Sequence, residues 1–430
     1  MRSLCLVLVL LSINSVYADT LIHAGQLVDV AAGDVLSEQT IRVRGSRIVE
    51  VTPGYLEDEG VDVIDLRNAT VMPGFMDMHV HLLQELDPPS SYAEGFYMNS
   101  ADIALRATVY ARRTLEAGFT TVRDLGARDM EAGFALRDAI NQGIVAGPRI
   151  FAAGKSIATT GGHADPTNGL RENLRGDPGP KEGVINGPDD AVKAVRQRYK
   201  DGSDVIKLTV TGGVLSLAKS ADNPQFTDEE LEAIMATARD YNYVVAVHAH
   251  GAEGMKRAIR AGVDSVEHGT YMDTEAMNLM KELGTWYVPT ISAGKWVADL
   301  SLTEGKLPDV VRPKAAAVGP QIQNTFAKAF EQGVPIAFGT DAGVSPHGAN
   351  GREFTFMVEA GMPVMEALRA ATVNAAMLLR VENEMGQLKP GYVADLVAVP
   401  GDPFEDVTLL ESPHFVMKEG AVVAERAVAN

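Results

Sequence analysis

Cysteine is all but missing: Cys5 is the single one in 430 residues. Disulfides therefore cannot staple this chain, and any metal must be held by nitrogen and oxygen ligands. Positive charge is also short, with 38 Lys and Arg against 57 Asp and Glu, a formal net charge of −19. A polyanion such as nucleic acid would be repelled by that field. No apolar run is long enough to span a bilayer, no repeat of solenoid period occurs, and no low-complexity tract interrupts the chain. What remains is an ordinary globular composition, 46% apolar and 22% charged, with ample material for a large core. Charge of this kind keeps a protein dissolved but does not name a substrate.

The first residues have the layout of a secretory signal. Arg2 precedes the apolar run Leu4 to Leu11, and small or polar residues lead to Val16-Tyr17-Ala18. Small residues three and one before the cut place cleavage after Ala18. The expected mature chain begins at Asp19, holds no thiol, carries no membrane segment and is exported, most simply to a bacterial periplasm.

Through the middle one order recurs: an amphipathic helix, a glycine near its end, then a short β-branched strand. Ala101 to Ala117 is followed by Gly118 and Phe119-Thr120-Thr121-Val122. Ala191 to Lys200 is followed by Gly202 and Asp204 to Val210. A helix capped by Thr227 runs to about Tyr241, before Tyr243 to Val247. Strands are also expected at Val71–Met78, Arg149–Ala153, Val263–Val266, Thr285–Pro289 and Val334–Gly339, eight in all. Near-continuous apolar strands alternating with helices predict a closed (β/α)8 TIM barrel, an α/β fold. An open doubly wound sheet is disfavoured, since no Gly-x-Gly-x-x-Gly follows a first strand.

Both ends have shorter, alternating strands separated by turns: Leu21–His23, Ile41–Arg44, Ile48–Val51 and Val63–Leu66, then Ala394–Val399, Phe415–Lys418 and Ala421–Ala424. The expected organisation is a signal at 1–18, a small β-sandwich domain built from 19–70 and 384–430, and a barrel of 71–383 inserted between them. The longest irregular stretch, Lys155 to Pro188, follows the third barrel strand and should shape access to the active face.

Histidines fall at matching places on those strands. His79 and His81 close the first in Asp77-Met78-His79-Val80-His81, and residues two apart on a strand share a side. Two imidazoles so placed can reach one metal. His248 ends the fifth strand, His268 the sixth and Asp341 the eighth, all at the C-terminal rim where barrels assemble their chemistry. Lys207 lies within the apolar strand Val205-Ile206-Lys207-Leu208, where a buried unpaired ammonium is costly. Burial lowers its pKa, and a neutral amine can add CO2 to form a carbamate able to bridge two cations. The plainer alternative is a lysine whose amine reaches solvent or a carboxylate.

His79-x-His81, Lys207, His248, His268 and Asp341 together resemble the amidohydrolase superfamily in its binuclear, carboxylated-lysine branch. So do Val71-Met72-Pro73-Gly74-Phe75-Met76-Asp77 and Leu388-Lys389-Pro390-Gly391-Tyr392-Val393-Ala394-Asp395-Leu396. The resemblance implies two divalent ions, zinc or similar. His79, His81 and Asp341 would hold one, His248 and His268 the other, and carboxylated Lys207 would bridge them. Such a pair acidifies water towards a pKa of about 7 and polarises a carbonyl, with Asp341 as the catalytic proton carrier.

Within the superfamily, Gly161-Gly162-His163-Ala164-Asp165, Thr211-Gly212-Gly213-Val214-Leu215-Ser216 and Glu267-His268-Gly269-Thr270 are similar to the Xaa-Pro and Xaa-Arg/Lys dipeptidases. Ochratoxin-type N-acyl amino acid amidohydrolases belong to the same group. The implied reaction is amide hydrolysis releasing a C-terminal amino acid from a dipeptide or N-acyl amino acid, by a homo-oligomer. His163, His250, Tyr271 and Arg352 are the candidate donors to a substrate carboxylate, each equally explicable by loop packing. Deamination is disfavoured because Ala249-His250 follows His248 and Lys207 is present. Two alternatives stay open: hydrolysis of a cyclic amide or imidazolone, and a periplasmic binding protein on a retired hydrolase scaffold. His23 and His414 are expected to contribute nothing chemical, His347 to lie just past the eighth strand, near the pocket or simply exposed, Trp286 and Trp296 to pack or line a rim, and Asp124 to support a ligand or close a loop salt bridge.

Overall fold

The computed structural model describes residues 19–87, 93–127, 129–217 and 220–426. The expected signal segment 1–18 lies outside them.

Seven strands from the two ends of the chain make one sheet. Its order is Ala421–Glu425, Phe415–Lys418, Leu396–Pro400, Asp62–Pro73, Asp19–Asp29, Asp34–Arg44, Arg47–Pro53. The join between the two ends is the antiparallel pairing of Leu396–Pro400 with Ala69–Pro73. The sheet also curls back on itself: Ile48 donates its N–H to the Tyr392 carbonyl, and Gly391 donates to the Ile48 carbonyl. Ile22, Ile41, Ile48, Val71, Leu396 and Phe415 fill the space so enclosed.

The barrel begins immediately after. The expected first strand, Val71 to Met78, divides at Gly74. Val71, Met72 and Pro73 belong to the terminal sheet, whereas Phe75–Val80 is the first barrel strand. A Cβ on Gly74 would sit 2.4 Å from the Thr120 hydroxyl, so the crossing between the two layers requires glycine. Parallel pairing then runs from Phe75–Val80 to Phe119–Asp124 and Arg149–Ala152, and from Ile206–Thr209 through Val245–Gly251 and Ser265–Tyr271 to Trp286–Val288.

Isolated bridges close the ring. Ile157 pairs with Leu208, Tyr287 with Ile336, and Val80 with Ala342. The eighth position is therefore an extended segment rather than a regular strand. Its Phe338 N–H turns away to the Ala370 carbonyl, while the Phe338 carbonyl accepts from Met78. Every residue of the Phe75–Val80, Phe119–Asp124 and Ile206–Thr209 strands is buried, as a sheet covered on both faces requires.

Helix ends follow the local chemistry. Thr227 caps Asp228–Asp240 by accepting from Glu230 N–H, and the Glu230 carboxylate accepts from the Thr227 N–H in return, a capping box. Gly202 and Gly262 end their helices in the left-handed conformation, turning the chain into the next strand. Among the described residues no helix is long and apolar enough to cross a membrane.

Candidate active site

The five strand-end side chains and Lys207 meet at one end of the barrel. His79 Nε2 lies 3.5 Å and His81 Nε2 3.2 Å from Asp341 Oδ1. One ligand atom from each of the three fits within 4.8 Å of the others. His268 joins through its ring, 5.0 Å from His79, and His248 lies 4.6 Å beyond it.

Backbone geometry aims these groups. His268 and Asp341 have φ of 70° and 56°, and Thr290, at the end of the seventh strand, has 54°. Left-handed backbone is rare outside glycine and costs energy. Here it breaks strand alternation, so that Glu267 and His268, adjacent in sequence, both serve the same cluster.

Partners on the far side of each ring fix which nitrogen is bare. His79 Nδ1 donates to Glu267 Oε2 at 2.9 Å, and His81 Nδ1 to the Gly126 carbonyl at 3.0 Å. Both Nε2 atoms therefore point at Asp341 Oδ1, a buried oxygen for which the described residues supply no hydrogen bond of good geometry. Two ring nitrogens and a carboxylate oxygen facing one another are held by a cation between them, a proton or a metal, and they are a donor set that fits a divalent ion. Burial would lower the His81 pKa, but Asp341 raises it overall. His248 Nε2 donates to the Gly212 carbonyl at 3.0 Å, leaving Nδ1 bare, and His268 Nδ1 pairs with the Thr290 hydroxyl at 2.8 Å. Burial, first of all, keeps His79, His248 and His268 well below the ordinary histidine pKa. Neutral imidazole is the form that binds metal.

Lys207 is buried within this group. Desolvation lowers its pKa to about 8, while the charges of Glu267 and Asp341 act the other way. Its own charge is felt at His79, His248, His268 and Asp341. Burial would raise the Asp341 carboxyl, yet His79 and His81 hold it below its usual range. His248 and His268 find no third ligand of histidine or carboxylate type among the described residues. A carboxylated Lys207 would supply one.

Support for these ligands comes from Glu267, Arg123, Ser265 and Asp77, to which the sequence reading gave no role, and from Asp124, which it named as a possible support. Glu267 also takes a 2.9 Å ion pair from Arg123 and a hydrogen bond from the Ser265 hydroxyl, all fully buried. Asp77 accepts from His79 N–H, Thr340 N–H and hydroxyl, and the Asn350 amide, tying the first strand to the eighth. Asp124 accepts from Leu82 N–H, which holds the turn just after His81.

The substrate candidates separate into two groups. The His163 ring lies 4.3 Å from His248, and His250 stacks 5.1 Å from His268 with its Nδ1 on the Thr270 hydroxyl. Tyr271, 41% exposed, ends the sixth strand. Arg352 is elsewhere, on a cleft lined by none of the cluster residues. His347 is buried against Tyr110 with its Nε2 on the Gln84 carbonyl, a packing role. In the terminal sheet His23 bonds the Leu56 carbonyl.

The amidohydrolase family model matches residues 70–423. The chain belongs to the amidohydrolase family. This amidohydrolase is 32% identical to ochratoxinase of Aspergillus niger over 422 residues, covering 92% of this chain and 84% of that one. Among solved structures it is similar to a Xaa-Pro dipeptidase with methionine bound in the active site, at a TM-score of 0.91 and 55% identity over 94% of this chain and 99% of that one. A prolidase complexed with N-methylphosphonate-L-proline gives 0.85 at 31% identity, with 95% and 100% covered. The amidohydrolase is thus a hydrolase with a barrel catalytic core, and its neighbours support action on amide bonds in small molecules.

Proposed function

We propose that this amidohydrolase is an exported, metal-dependent enzyme that hydrolyses the amide of dipeptides or N-acyl amino acids, releasing the C-terminal residue and acting as a homo-oligomer. The geometry around Asp341 carries the proposal: two histidine nitrogens converge on one buried carboxylate oxygen. His79, His81 and Asp341 would hold one divalent ion, His248 and His268 a second, and Lys207 both through its carbamate. Zinc suits such nitrogen and oxygen donors. Bound there, the ions would polarise the scissile carbonyl and make water a nucleophile near neutral pH.

The chain's own residues supply the remainder. Asp341, held as a carboxylate, takes the proton from the attacking water and later delivers it to the departing amine nitrogen as the C–N bond breaks. One water is consumed, and an acid and an amine result. Burial keeps the Lys207 amine near a pKa of about 8, so that a neutral fraction can attack CO2 and lose a proton. His250, pushed down to about 3 chiefly by burial, stays neutral. With the Thr270 hydroxyl donating to Nδ1, its Nε2–H is left as a donor. Tyr271 stays a phenol, its pKa raised by burial, and can donate to a substrate carboxylate at the mouth.

The likeness to a Xaa-Pro dipeptidase and to ochratoxinase favours an acyl group joined to a C-terminal amino acid. The test is a library of dipeptides and N-acyl amino acids offered to metal-loaded protein, with free amino acid measured by chromatography. Release of C-terminal residues supports the assignment; turnover of lactams or imidazolones alone would replace it.

A further inference from the structure

A second concavity lies apart from the histidine cluster. Helices Ile291–Ser301 and Arg312–Glu331 cross where Gly294 meets Ile322 and Gly319 meets Ala298. A Cβ on either glycine would come within 2.7 Å of its neighbour. The crossing is therefore tight, and the pair forms a firm wall. Pro320, inside the second helix, removes the N–H that the Ala316 carbonyl would otherwise receive. Beside this crossing, under the 345–352 segment, opens a cleft of about 500 Å³, within the size range of small-ligand sites.

Its polar groups are mostly donors. The Trp296 indole N–H is buried and donates to nothing among the described residues. Arg352 has no carboxylate partner there; its guanidinium lies 5.3 Å from the Phe356 ring centre. Lys295 lies 4.3 Å over the same ring and pairs with Glu359 at 3.3 Å. Asp299 is the one carboxylate on the lining, against Lys295 and Arg352. With Lys295 paired, Arg352 is the lining cation left to meet an anion, in a chain of net charge −19. Its apolar surface comes from Trp296, Phe356, Pro320 and Pro346.

We propose that this cleft binds a small organic monoanion with a flat apolar body, such as an aryl carboxylate. The carboxylate meets the Arg352 guanidinium, and the ring lies against the Trp296 indole, Pro320 and Pro346. Guanidinium–carboxylate contacts are among the stronger polar ones, and the flat indole, proline and Phe356 faces suit an apolar ring. The cleft also borders the histidine cluster's supports. Ser292 on its wall follows Thr290, the partner of His268, by two residues, and Ser345 follows Asp341 by four. The proposal stands independently of amide hydrolysis, because it concerns binding alone.

The probe is 4-fluorophenylacetate, which has no amide to cleave, titrated into the full mature protein and followed by fluorine NMR and calorimetry. One saturable site is expected, weakened at least about tenfold in Arg352→Gln and in Trp296→Ala. Arg352→Lys should fall between, and 4-fluorobenzylamine, the cation of similar shape, should not compete. Thermal unfolding of each variant checks that the fold is intact. Undiminished binding in both variants would put the anion elsewhere, the histidine cluster included, and overturn the assignment. So would an absence of binding to the parent protein, or equal competition by the amine.

Discussion

His79 gives its Nδ1 proton to Glu267 across 2.9 Å, and neither side chain reaches solvent. That bond decides which nitrogen of His79 faces Asp341. Glu267 in turn depends on Arg123, whose guanidinium is buried beside it. The carboxylate therefore orients a ligand with one oxygen and neutralises a core cation with the other.

Glu267→Ala should accordingly do two things. It strands the Arg123 charge, for which about 3–5 kcal/mol of stability is the expected loss. It also frees the His79 ring, for which a fall of about 10–100-fold in metal affinity is expected. Glu267→Gln keeps the shape and should cost less in both respects. Denaturant unfolding and metal analysis by mass spectrometry read the two separately. Unchanged metal affinity in Glu267→Ala would remove the orienting role.

Lys207→Ala is expected to lower activity more than about a hundredfold, beyond the loss usual for an outer partner, and to reduce the metal content of the purified protein. A short carboxylic acid such as formate should restore part of both, since it returns the missing oxygens. Two tightly held ions in the untreated variant would show that Lys207 bridges nothing.

Buried Glu353 makes stability fall as pH rises. Its carboxyl accepts from Ile291 N–H, Ser292 N–H and the Ser292 hydroxyl, and burial pushes its pKa up to about 7. In the unfolded chain a glutamate titrates near about 4.3. Between those values the folded state holds the proton that the unfolded state has lost. The contribution is whole below about pH 4.3 and is lost progressively towards about pH 7. Asp19 acts in the opposite sense at the acid end. Hydrogen bonds from Arg44 and Arg42 hold it at about 2, so its contribution is present above the ordinary aspartate range and fades as pH drops. Urea midpoints measured from pH 4 to 8 in the parent and in Glu353→Gln test the first effect. The variant should be less stable overall, with one acceptor oxygen for three donors, but flatter with pH.

Gly213→Ala probes the mouth of the site. An added Cβ would lie 2.1 Å from His163 Cε1, so the imidazole must leave its place beside His248. Reduced kcat/KM, carried by a raised KM, is expected with little change in melting temperature. A variant with parental KM would show that the His163 ring takes no part in binding.

Much of this was legible in the chain. Period and glycine stops place Ser100–Glu116, Pro188–Asp201 and Asp228–Asp240 close to where the residues alone put them. His79, His81, Lys207, His248, His268 and Asp341 were legible because strand ends repeat a position in space. The division at Gly74 was missed although Pro73-Gly74 is a turn signal, because the apolar residues Val71-Met72 and Phe75-Met76 on either side read as one strand. Arg123 and Glu267 had a signal that went unused. The cost of a buried lone charge, applied to Lys207, applies equally to an arginine on the second strand and a glutamate on the sixth, which pair across the barrel interior. Arg352 illustrates the reverse: sequence places it shortly after Asp341, but the loop between them carries it to another recess.

The order of strands in the terminal sheet has a bearing on biosynthesis. The Asp62–Pro73 strand leaves the ribosome early, yet its neighbour on one side is Leu396–Pro400, more than three hundred residues later. Until translation is nearly finished, that edge has no mate, and its backbone donors and acceptors remain open to rivals. Contacts of such long range slow the final collapse. A newly made chain would thus stay open along that edge until its last thirty-five or so amino acids complete the sheet.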